Sequence, residues 1–188
     1  DLAERFGLAA VPSLSPRYNI APSQEVAAVR IPPGGGAVLL AWLRWGLIPS
    51  WARDPAIGNR MINARAETAA EKPAFRAAIR RRRCLVPASG FYEWKRANGR
   101  KQPFFIRMAD GKAFALAGLW DSWAGPDGAA VETVAILTTG SNETVRPIHD
   151  RMPVIVSPQD YDRWLSPEVQ DPRLFENLFR PCDAGTMT

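Results

Sequence analysis

The chain has 188 residues, 46% hydrophobic and 23% charged. These are globular proportions that exclude wholesale disorder, and the length suits one domain (1–188) with a core closed without disulfides or metal. A net charge of +5 and a pI near 9.7 point to acidic partners, nucleic acid first, with a soluble protein carrying surplus arginines as the plainer alternative.

The first strands are predicted at 25–31 and 37–47, where apolar runs lie between Pro- and Gly-rich punctuation. A helix is predicted over 71–82, with Phe75, Ala78 and Ile79 on one face and Arg76, Arg80 and Arg83 towards the other. Strands follow at 84–87, 90–95, 103–108 and 113–120, and Asp110-Gly111 predicts a hairpin joining 104–108 to 113–116. Further strands are predicted at 133–138 and 153–156. Ser157-Pro158-Gln159-Asp160 reads as an N-cap, a proline at the first helical position and an acid in the first turn, opening a helix to about Leu165. A last helix is predicted over 173–179, with Leu174, Phe175 and Leu178 facing the core. Gly46-Leu47-Ile48-Pro49-Ser50-Trp51 echoes Gly118-Leu119-Trp120-Asp121-Ser122-Trp123, through chance or through related halves of a barrel-like structure.

Cys84 and Cys182 show neither a disulfide framework nor zinc spacing, so a reducing, cytoplasmic compartment is expected. No run nears the roughly 18 apolar residues that span a bilayer, and no membrane partner is expected. His149 is the single histidine, which argues against most metal enzymes; neither a metal nor a cofactor is expected.

Five stretches carry candidate chemistry. His149 lies between Asp150 and Arg151 just before a strand, an acid/base position or a hydrogen-bonded structural histidine. In Gly90-Phe91-Tyr92-Glu93-Trp94, alternation sets Phe91, Glu93 and Lys95 on one face and Tyr92 and Trp94 on the other. A carboxylate among apolar neighbours tends to be pushed up in pKa and suits proton transfer; an exposed glutamate on a half-solvated strand is the alternative. Asn63 and Arg65 project from the same side of an extended segment, where the arginine can clamp phosphate and the amide can orient a carbonyl; the alternative is a polar loop. Trp51, after Pro49-Ser50, suits a stacking platform for unpaired bases, whereas Trp45 reads as core. Arg80-Arg81-Arg82-Arg83 is a phosphate-binding edge or a solvated helix face. A serine triad lacks its Gly-x-Ser-x-Gly elbow, and Cys84 reads as a buried strand start rather than a nucleophile.

In this order, Pro16–Pro22, Trp45–Trp51, Asn63–Thr68, Gly90–Trp94 and Ile148–Pro153 resemble the SOS response-associated peptidase (SRAP) family of abasic-site sensors, over about 17–165. The resemblance implies an α+β fold, mainly antiparallel and barrel-like with a few flanking helices. It implies recognition of abasic sites in single-stranded DNA by a monomer. The covalent thiazolidine link would form through a cysteine exposed when the initiator Met is autoproteolytically removed. Asn63, Glu93 and His149 would be the remaining catalytic residues, and Trp51, Arg65 and Arg151 DNA contacts. The family starts Met-Cys-Gly-Arg and then reaches a segment like Asp1–Phe6, where this sequence begins. The expectation is therefore a native start that carries the cysteine. A peptidase acting on other proteins and a plain single-strand-binding module are the competing readings.

Overall fold

The computed structural model describes residues 2–11, 13–97 and 99–188. Alternation along the strands builds a barrel. Strands β1 (Glu25–Arg30), β2 (Leu39–Trp45), β4 (Arg83–Ala88), β7 (Phe114–Ala124) and β8 (Ala130–Gly140) hydrogen-bond in the ring β7-β4-β1-β2-β8, which the β7–β8 pairing closes. Strand β3 (Asn63–Arg65) and strand β9 (Arg151–Pro153) add to β8, and β10 (Ile155–Val156) adds to β7. Pairing is antiparallel except for β2 and β3, which run parallel to β8. Strands β5 (Phe91–Ala97) and β6 (Arg100–Ile106) form a separate two-stranded ribbon. This is the mainly antiparallel, barrel-like architecture that the motifs imply.

One alternation of each strand fills the barrel: Val26, Ala28, Leu43, Cys84, Val86, Leu116, Trp120 and Val134 form one buried cluster. The other alternation, including Val29, Leu85, Ala117, Leu119, Ala135 and Leu137, packs outward under the helices. That layer comprises α1 (Leu2–Phe6), α2 (Ala78–Arg81), α3 (Tyr161–Leu165) and a 3-10 helix at Pro172–Phe179. Trp164 and Phe175, both fully buried, meet edge to face at 5.2 Å in its centre.

The helical segments depart from their predicted form. Over 71–82 only Ala78–Arg81 is α-helical and the preceding residues are turns. The turns still carry isolated i→i+4 bonds, Arg76 N–H to Lys72 O and Ile79 N–H to Phe75 O, both at 2.9 Å, and Pro73 has no N–H with which to extend them. The apolar face is as expected, with Phe75, Ala78 and Ile79 buried, but Arg83 is buried as well. Its guanidinium donates to the Ile79, Arg80, Trp164 and Ser166 carbonyls and lies 4.6 Å over Phe175. Burial pulls its pKa down to about 10, so it stays charged at neutral pH while closing the C-terminal end of α2. Half of the expected phosphate-binding edge is thereby structural, since Arg82 pairs with Asp121 at 3.2 Å. The last helix is 3-10: at three residues per turn Phe175 and Leu178 share the buried side, and Leu174, expected in the core, is 55% exposed. Ser157 precedes a 3-10 turn (Pro158–Asp160) that leads into α3, but its side chain caps nothing.

Two strand expectations change too. Asp110-Gly111 does turn the chain, with Gly111 N–H donating to Met108 O at 3.0 Å, but the flanking strands do not pair. Both sides of β7 are taken by β4, β8 and β10, and β6 pairs with β5. Strands β5 and β6 pair as far as Ala97 opposite Arg100, with Gly99 at a φ of +74° just before Arg100. The strand expected at 153–156 splits at Val154, which donates to Leu137 O at 2.8 Å and accepts from Ala117 N–H at 2.9 Å. Val154 thus bridges β8 and β7 where they separate. No helix among the described residues is long and apolar enough to cross a membrane.

Candidate active site and nucleic-acid interface

Glu93 and His149 are brought together from distant parts of the chain. Glu93 sits in β5 on the same face as Phe91, which packs edge to face on Phe114 at 6.4 Å. Burial pushes its carboxyl above the ordinary 4.5; the His149 charge and the Trp94 N–H pull it partly back, and Asp150 adds to the rise. A carboxyl raised above its ordinary value and within electrostatic reach of an imidazole is suited to proton transfer.

The loop that presents His149 is fixed by Asn142. Buried Asn142 accepts the Val145 N–H at 3.0 Å and donates to Cys182 O at 3.1 Å. Val145 O in turn accepts the His149 N–H at 3.0 Å, and Ser141 N–H donates to Asp150 O at 3.1 Å. His149 Nδ1 accepts the Arg151 N–H at 3.1 Å, which leaves the neutral ring's proton on Nε2. On protonation, Nδ1 has the Arg151 carbonyl at 3.1 Å and Asp150 Oδ1 at 3.4 Å as acceptors.

Arg151 binds Glu67 in a two-pronged ion pair, Nη1–Oε1 2.7 Å and Nη2–Oε2 2.8 Å, and Nη2 also donates to Thr138 O at 2.7 Å. This holds the Glu67 carboxyl below its ordinary value, with Arg65 contributing through space. Expected as a DNA contact, Arg151 has its terminal nitrogens engaged inside the protein and locks β9, and so the His149 turn, to β8. Asn63 and Arg65 lie on β3 with buried Ala64 between them, both exposed on one side as the alternation predicts. Their register opposite Ile136 and Thr138 of β8 sets them along the edge that Arg151 and Glu67 occupy.

Trp51 stands apart from Glu93 and His149. It is 59% exposed and lines a shallow depression with Arg53, Asp54, Asn59 and Arg60. Its loop is bolted to the barrel at alternate residues. Ile48 N–H donates to Thr133 Oγ1 at 2.8 Å, Ser50 N–H to Asp121 Oδ2 at 3.0 Å, and Trp123 Nε1 to Ala52 O at 2.7 Å. The two echoing segments therefore meet side by side. Trp45, expected in the core, is partly exposed and ties Nε1 to Ile62 O at 2.9 Å. The loop starts at a close backbone approach: a Cβ on Gly46 would stand 2.6 Å from Gly58 O, and Gly46 has a φ of +131°. Cys84, set aside as a nucleophile, lies inside the barrel, where burial pushes its thiol up to about 12.

Sequence reasoning missed Asn142, Glu67 and Asp121, each a buried or paired side chain that holds a candidate residue. The partners that tie them to the site, Arg151 for Glu67, Ser50 and Arg82 for Asp121 and Cys182 for Asn142, are distant in sequence, so no local pattern announces them. Arg53 and Arg60 flank Trp51 and were legible as cations near an exposed aromatic.

Residues 1–188 match the SOS response associated peptidase (SRAP) family, and the chain belongs to it. Abasic site processing protein YoqW of Bacillus subtilis is 46% identical over 173 residues, covering 92% of this chain and 76% of its own. Abasic site processing protein YedK of Escherichia coli is 33% identical, covering 88% and 72%. Abasic site processing protein HMCES of Xenopus tropicalis is 36% identical over 150 residues, covering 68% of this chain and 45% of its own. A crystal structure of a Bordetella bronchiseptica protein superposes with a TM-score of 0.84 at 27% identity, covering all of this chain and 92% of its own.

Proposed function

We propose that this protein recognises abasic sites in single-stranded DNA and joins them covalently through an N-terminal cysteine of the kind the family carries. The observation that carries the reading is the desolvated Glu93 carboxyl beside His149. Family membership and the names of the relatives support it.

A ring-opened abasic sugar presents an aldehyde. An α-amine, with a pKa of about 7.7–8.0, is neutral often enough at pH 7 to attack it. Addition gives a carbinolamine, loss of one water gives the Schiff base, and thiol addition to its carbon closes the thiazolidine. Each step moves a proton, and Glu93 and His149 are the groups assigned to move them. Asn63 orients the sugar or the amine by hydrogen bonding. Arg65 holds a flanking phosphate, and Trp51 stacks an unpaired base. Arg151, already paired with Glu67, is assigned the positioning of His149. Removal of the initiator Met is a separate step that comes first: water hydrolyses the Met–Cys peptide bond, and only then is the cysteine α-amine free to attack the aldehyde.

The test follows crosslinking of an abasic single strand over time on denaturing gels, with borohydride trapping any Schiff base. Glu93→Gln and His149→Ala are expected to slow crosslinking by about 10²–10⁴ while DNA affinity survives. The reading fails if both variants crosslink at the wild-type rate, or if more protein restores them. Intact-mass analysis of the protein from its own cells must find cysteine at the mature N-terminus. Cleavage of other proteins without crosslinking supports the peptidase reading instead.

A further inference from the structure

The β5–β6 ribbon carries more than Glu93. Its other face reads Tyr92, Trp94, Arg96 along β5 and Phe105, Pro103, Lys101 opposite them along β6. Tyr92, Trp94 and Phe105 are 38%, 48% and 47% exposed, and their rings form a continuous row, Tyr92 lying 5.1 Å from Phe105 and 6.3 Å from Trp94. Phe105 is seated on Gly90, where a Cβ would come within 2.3 Å of the ring. Beyond this row the tip gathers Lys95, Arg96, Arg100 and Lys101, all exposed. Among the described residues none of the four has an acidic partner within ion-pair distance. Arg96 stands directly opposite Lys101, a like-charge pair that weakens a ribbon rather than holding it. A row of open aromatic rings running into uncompensated cations is a poor solution for folding and a good one for a strand of unpaired bases on a phosphate backbone.

We propose that this face of the ribbon carries the single-stranded flank of the DNA beyond the lesion, the rings stacking bases and Arg96 and Lys101 contacting phosphates. The inference rests on the abasic-site reading. Duplex hides its base faces, so the aromatic row selects a single-stranded flank over a double-stranded one.

Fluorescence anisotropy with strands bearing the unreactive tetrahydrofuran analogue of an abasic site tests this without covalent chemistry. Three strands are compared: one with minimal flanks, one with long single-stranded flanks, and one whose flanks are made duplex. In an Arg96→Ala/Lys101→Ala double variant, affinity for the long single strand is expected to fall. The slope of log affinity against log salt should shrink by about 1.4, two contacts at about 0.7 each, with the minimal strand bound as before. Thermal melting checks that the exposed tip tolerates the change, and Lys101→Gln alone, expected to remove half of the slope change, replaces the double variant if it does not. Equal loss on the minimal strand, no loss on the long strand, or a loss confined to duplex flanks overturns the proposal. A wild type that prefers lesion strands while the variants are unchanged sinks this inference alone; a wild type indifferent to the lesion sinks the abasic-site reading and this one with it.

Discussion

Glu93 shows how one side chain couples function to stability. Its carboxyl stands above the ordinary 4.5 because the fold takes it out of water. Below pH 4.5 it is protonated in both folded and unfolded chains and costs nothing. As pH rises from 4.5 through the folded value, only the unfolded chain releases the proton, so folding loses stability up to a plateau. Glu93→Gln removes this titration. Its urea midpoint is therefore expected to exceed the wild type's near neutrality and to converge with it at low pH. Parallel midpoints across the whole range would show that Glu93 is not desolvated in solution. The raised acid was anticipated from the aromatic neighbours in the sequence, but the same neighbours also fit an exposed glutamate. Its partial burial in β5 and the charge of His149 decide between the two.

At the scale of an element, the Trp51 loop is rigid because the barrel holds it from below. Asp121 is 5% exposed and accepts the Ser50 and Ser122 N–H groups while pairing with Arg82. Asp121→Ala leaves these donors unmet and is expected to cost about 1–3 kcal/mol of stability. If Trp51 stacks a base, the same change is expected to weaken single-strand binding by part of the roughly 1–3 kcal/mol lost in Trp51→Ala, and the double variant to lose no more than Trp51→Ala alone. Additive losses in that cycle would show that Asp121 does not act through Trp51. The turn-rich stretch before α2 teaches the same lesson from its failure. Its apolar spacing was correct, yet only one turn of regular helix formed, and Arg83 was drawn inside because four carbonyls await it there.

For the whole molecule, the closed ring places the firmest structure along β7 and β8, which pair with each other and with most of the remaining strands. Among the described residues, the strands β5 and β6 pair only with each other. Hydrogen exchange is expected to be slowest at Leu119, Ala135 and Leu137 and faster by orders of magnitude in Trp94–Arg96, since an isolated two-stranded ribbon is marginal in water. Uniform protection would mean that the ribbon and barrel open as one unit.

By itself the sequence determined the strand-rich class, the buried alternation of most strands, and the residues with chemistry to offer, because these depend on neighbours two to four positions apart. The five ordered motifs implied the family for the same reason. Only the tertiary structure decided that β2 and β3 run parallel to β8, that β6 returns to β5 rather than to β7, and that Arg151 spends its charge on Glu67. It also brought Glu93 within electrostatic reach of His149, 56 residues further along the chain. These outcomes turn on which strand edge is already taken and which charge finds a partner, a competition among distant segments that no local pattern records.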